Sequence, residues 1–151
     1  MVVQEIPDSP PGAGEVIMDT DKVVLIVDDD HAVLDTMRIL LEGKGGFRVH
    51  CAVGSNGASH FLSAQEQVDV LIADVILAGE ITGIDICNLA RRQHPDVGLV
   101  IISADPNTDE ESVPERSVYL RKPFGGNELV EAIERVQAFA SLGLTEALPD
   151  N

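Results

Sequence analysis

The chain has no tryptophan, one tyrosine and two cysteines, and it carries 10 basic residues against 26 acidic ones. Each shortage excludes something. With aromatics at 3% and hydrophobic residues at 44%, the core must be built from aliphatic side chains. Cys51 and Cys87 lie inside apolar patterns without metal-ligand spacing, so they read as reduced, packed thiols of a cytosolic protein. A formal net charge of −16 argues against nucleic-acid binding, which needs a basic surface, and against anionic membranes. The acidity itself asks only for a well-solvated surface. No stretch approaches the ~18 apolar residues of a membrane span. The N-terminus carries acids and prolines in place of a basic start and apolar run, so no signal peptide is expected. His31, His50, His60 and His94 are scattered without ligand spacing.

What remains is a regular alternation of strand and helix patterns in 151 residues, enough for one domain with a core of its own. Val23–Val27 is a continuous apolar run, the mark of a strand buried on both faces, and ends in Asp28 and Asp29. Asp30 caps a helix whose stripe is Val33, Met37, Leu40 and Leu41, closed by Gly43, Gly45 and Gly46. Phe47–Cys51 alternates, as an edge strand does, and Ala58, Phe61 and Leu62 mark a short helix. Val70–Ala73 is a second buried strand, with Asp74 at its end. Ile86, Leu89 and Ala90 mark a helix closed before Pro95. Leu99–Ile102 ends at Ser103, and Val118–Arg121 leads into Lys122-Pro123. A last helix carries Leu129, Ile133, Val136 and Ala140, with Asn127 as its cap. Residues 1–21, rich in proline and glycine, read as a flexible segment, 22–141 as the domain, and 142–151 as a tail.

This alternation predicts a doubly wound, five-stranded parallel α/β sheet. The three continuous strands belong in its centre and the two mixed ones at its edges, which gives the order 2-1-3-4-5. Ligands of such sheets bind outside the carboxyl ends of the strands, where Asp28, Asp29, Asp74, Ser103 and Lys122 all fall. Crowded carboxylates repel, and a hard divalent cation relieves them; oxygen ligands favour Mg²⁺, or Mn²⁺, over zinc. A carboxylate beside such a cation, a lysine and a hydroxyl is equipped to accept a phosphoryl group.

Four stretches in this order and spacing resemble the response-regulator receiver (CheY-like) domain of two-component signalling. They are Val-Leu-Ile-Val-Asp-Asp-Asp at 24–30, Val-Leu-Ile-Ala-Asp at 70–74, Ile-Ile-Ser-Ala at 101–104 and Tyr-Leu-Arg-Lys-Pro-Phe at 119–124. The likeness covers about Lys22 to Ser141 and implies a flavodoxin-like fold. It implies Asp74 as phosphoacceptor, Asp29 as a direct Mg²⁺ ligand and Asp28 as one acting through water. The Ile76 carbonyl is a further ligand, Ser103 and Tyr119 are the switch pair, and Lys122 contacts the phosphate. A cis Lys122–Pro123 bond is implied too. The expected partners are a sensor histidine kinase or histidine phosphotransfer protein and an unidentified downstream protein, in the cytoplasm, with a homodimer left open.

The chain departs from the family pattern in two places. Leu77-Ala78 stands where Met-Pro is common, and the loop to Gly83 is about one residue longer. Residues 104–117 are acidic, interrupted by Pro106 and Pro114, and without helical period, which predicts a shortened or irregular fourth helix. The apolar Ile76 and Asp105 occupy positions that tune phosphate lifetime in the family.

Two other functions fit the same residues. One is a degenerate receiver that binds a partner without phosphorylation. The other is a Mg²⁺ phosphohydrolase of the haloacid-dehalogenase type, for which Asp28 and Asp30 fit but Ala32 does not. Singly, Asp28–Asp30 could be a helix-start cluster, Asp74 a turn former and Lys122 a surface charge.

Overall fold

The computed structural model describes residues 21–65, 67–104 and 114–141, with Ala140 and Ser141 described by backbone alone. Five strands form one sheet: β1 (Lys22–Asp28), β2 (Phe47–Val53), β3 (Val70–Asp74), β4 (Gly98–Ser103) and β5 (Ser117–Arg121). The helices are α1 (His31–Lys44), α2 (Gly54–Ala64), α3 (Gly83–Gln93) and α4 (Gly126–Ser141). All neighbouring strands are parallel, in the order β2-β1-β3-β4-β5, as the apolar patterning predicts. The fourth helix anticipated between β4 and β5, and the N- and C-terminal segments, lie outside the described residues.

The central strands are apolar throughout because each face is covered. Val24 and Ile26 of β1 join Ile72, Val100 and the stripes of α1 and α4. Leu25 and Val27 face the opposite layer, with Leu71, Ile101 and the stripes of α2 and α3. No helix of the described residues is long and apolar enough to cross a membrane.

Three local expectations need correction. The buried stripe of α1 is Leu34, Met37 and Leu41, whereas Val33 is only partly buried and Leu40 is exposed. The helix is turned so that Leu40 lines a groove against Phe124 instead of the core. Gly43 stays inside α1, and Gly45, at φ 86°, is the residue that ends it. Asn127 lies in the first turn of α4; the Gly125 carbonyl accepts the Leu129 N–H and Glu128 accepts the Gly125 N–H, so Gly125 stands at the cap position just before that helix.

Candidate functional site

Sheet register brings the acids together. Val27 pairs with Ala73, so the next residues on these central strands are Asp28 and Asp74, side by side at the carboxyl edge. Asp74 pairs with Ile102, and Ser103 follows one step beyond, buried. The Ser103 carbonyl accepts the Lys122 N–H at 2.9 Å, which fixes where the chain leaves β5. The Lys122–Pro123 bond is cis.

Lys122 Nζ lies 2.8 Å from Asp74 Oδ2 and 3.9 Å from Asp28 Oδ2, one cation between two carboxylates. Burial works against the Lys122 charge, but the hydrogen bond and charge of Asp74, then of Asp28, hold its pKa above the ordinary value. Asp28 is itself buried, and burial, with the charge of Asp74 adding to it, raises its pKa. The Asp30 N–H donates to Asp28 Oδ1 at 2.9 Å, and Lys122 opposes the rise too. Asp30 turns away to cap α1, accepting the Ala32 N–H.

Asp74 Oδ1 accepts the Ile76 N–H at 3.0 Å, which turns the chain sharply after β3. The segment returns at Gly83, whose N–H donates to the Val75 carbonyl at 2.8 Å. A Cβ at Gly83 would lie 1.9 Å from the Asp74 carbonyl oxygen, so only glycine lets α3 start here. Thr82 and Asp85 then cap α3 reciprocally. That capping box is readable as Thr-x-x-Asp but was not anticipated.

Asp29 departs from expectation. Its Oδ2 accepts the Ala78 N–H across the crevice at 2.6 Å. Among the described residues no three acid, histidine or cysteine side chains are grouped as a ready cation site. Tyr119 lies in β5 opposite Ile101, partly buried against the α2–α3 layer. Ile76 is 64% exposed at the lip of the crevice. Asp105 lies outside the described residues.

The molecule is thus a doubly wound, flavodoxin-like α/β domain with acids and one lysine at the switch point of its sheet. The family model of the response regulator receiver domain matches residues 24–134, and the chain belongs to that family of two-component signalling. It is 32% identical over 118 residues to the alkaline phosphatase synthesis transcriptional regulatory protein SphR of Synechococcus elongatus, covering 71% of this chain and 45% of that protein. The DNA-binding response regulator MtrA of Mycobacterium tuberculosis is 31% identical over 116 residues, 73% of this chain and 48% of MtrA. The chain therefore spans less than half the length of these relatives. Among solved structures, a response regulator receiver protein of Sinorhizobium medicae matches with a TM-score of 0.73 at 24% identity, covering 79% of this chain and 96% of that one. A receiver domain protein of Clostridium thermocellum matches with 0.69 at 25% identity, over 82% and 99%.

Proposed function

We propose that Asp74 accepts a phosphoryl group from the phosphohistidine of a sensor histidine kinase or histidine phosphotransfer protein in the cytoplasm. The observation that carries this reading is the Asp74–Lys122–Asp28 contact at the switch point. A carboxylate oxygen of Asp74 attacks phosphorus, the phosphorus–nitrogen bond breaks, and the imidazole leaves with the bonding pair. Lys122 then follows the charge from the carboxylate to the phosphoryl oxygens.

The donor set fits Mg²⁺ in kind: Asp28, Asp29, Asp74 and the Ile76 carbonyl are all oxygen ligands, and Asp28, its pKa raised by burial and by the charge of Asp74, is a carboxylate that a cation would stabilise. Bound among them, Mg²⁺ would neutralise phosphoryl oxygens. Ser103 and Tyr119 would serve as the switch pair that reports phosphorylation to a downstream protein, or the chain would act as a phosphate sink. An apolar groove of about 390 Å³, lined by Val33, Met37, Leu40 and Phe124 beside Lys122, supports delivery by a docked protein. The phosphohydrolase reading is weaker, because Asp30, the second acid it needs, is engaged in capping α1.

Acetyl phosphate with Mg²⁺, followed on a phosphate-affinity gel, tests the proposal. A retarded band is expected for the wild type and is lost with EDTA and in Asp74→Asn. No band from a folded, Mg²⁺-binding protein would favour a degenerate receiver that acts by binding alone.

A further inference from the structure

The loop from Val75 to Thr82 is tied down at both ends. Ile76 N–H bonds Asp74 at the start, and Gly83 N–H bonds the Val75 carbonyl at the close. Leu77 is buried in the α2–α3 layer, but Ala78 to Thr82 are exposed. From that exposed stretch, the Ala78 N–H crosses the crevice to Oδ2 of Asp29, the residue that follows β1. At 2.6 Å to a carboxylate it is a short, charge-assisted hydrogen bond.

The Asp29 pose is shaped on its other side as well. Gly54 has φ +85°, and a Cβ there would stand 3.3 Å from Asp29 Oδ1. Asp29 thus has Oδ2 on a donating amide and Oδ1 on the side of Gly54, and in this pose it makes no ready cation group with Asp28 and Asp74 among the described residues. The donor exists because residue 78 is alanine. A proline, common at this position in the family, has no N–H to give.

We propose that Asp29 has two alternative partners, the Ala78 N–H and the cation, so that loading the crevice releases the exposed stretch of the loop after Asp74. This rests on the Mg²⁺ reading above. In the pose that bonds Ala78 the Asp29 carboxylate makes no ready group with Asp28 and Asp74, so completing that group requires the side chain to leave this pose. The bond to Ala78 therefore competes with the metal and lowers its apparent affinity. The exposed Ile76 and Ile81 lie on this loop, so cation occupancy changes the surface next to Asp74.

The test is a Mg²⁺ titration of the full chain by amide NMR, with hydrogen exchange read at Ala78. Saturating Mg²⁺ should remove the protection of the Ala78 amide while leaving that of Gly83 in place. Ala78→Pro should bind Mg²⁺ about tenfold more tightly, since a charged hydrogen bond no longer has to break. Ala78→Gly, which keeps the donor, should not tighten binding in this way. An Ala78 amide that stays protected at saturation would overturn the proposal, as would unchanged affinity in a folded Ala78→Pro. If Mg²⁺ shifts no resonance of the crevice in wild type, the cation reading itself fails, a result distinct from a latch that persists.

Discussion

The two edges of the sheet both gather charged side chains, and they use them in opposite ways. At the amino edge Arg91 donates to the carbonyls of Glu115, Val97 and Arg116, and Arg116 donates to that of Pro95. These arginines meet backbone, and they close the turns that lead into β4 and β5. At the carboxyl edge Lys122 meets two carboxylates of the central strands, one of them buried. The first edge is held by charge balanced against fixed dipoles. The second keeps a surplus of like charge at a place where register leaves the acids nowhere else to go. A charged cluster is a candidate for chemistry when it stays unbalanced within the fold, and for structure when its partners are carbonyls.

Two glycines break this comparison most sharply. Gly83→Ala drives a Cβ into the backbone of Asp74 and Val75, which cannot turn aside as a side chain can. Its expected cost is about 3 kcal/mol or more, with phosphorylation lost wherever the chain still folds, because Asp74 is displaced. At the opposite edge Gly98→Ala meets Val136 Cγ2 at 2.6 Å, a side chain of α4. A cost of about 2 kcal/mol is expected, with phosphorylation kept. Urea unfolding together with the acetyl phosphate assay checks both; equal loss of phosphorylation would mean that the edges are not independent.

Arg91 comes next. Arg91→Ala leaves three carbonyls to water and should destabilise by about 2 kcal/mol. Arg91→Lys should recover less than half, because an ammonium cannot span the fork that reaches Glu115 and Val97. Neither variant should alter phosphorylation under folding conditions. A urea midpoint unchanged in Arg91→Ala would show the amino edge to be held by the strands alone.

The order of the sheet was legible because continuous apolar runs mark strands covered on both faces. Once the order was known, the meeting of Asp28, Asp74 and Lys122 followed from strand ends alone. The direction of Asp29 was not legible, since it depends on an amide that comes near only in three dimensions. Nor was the need for glycine at 83, which arises from the close return of the chain past Asp74. The phase of α1 was misjudged because Leu40 is as apolar as Leu34, and the groove beside Phe124 takes it out of the core. The cap of α4 was misplaced because Asn127 looked the part, while Glu128 completes the bond from Gly125.

The smallest expected effect tests the surplus of charge itself. Asp28 has burial and Asp74 against its charge, with the Asp30 amide and Lys122 in favour. Asp28→Asn removes one of the two competing acids and keeps the shape and an acceptor for the Asp30 N–H. In metal-free buffer near neutral pH the variant should be more stable than wild type by about 1 kcal/mol, since a buried charge is lost without leaving a void. Saturating Mg²⁺ should reverse the order, stabilising the wild type and leaving the variant nearly unchanged, because a ligand that binds only the native state adds stability by mass action. Thermal melts of both proteins with and without Mg²⁺ read the crossing directly. Parallel responses to Mg²⁺ would place any cation away from Asp28, and a variant less stable in metal-free buffer would mean that Lys122 already balances the crevice.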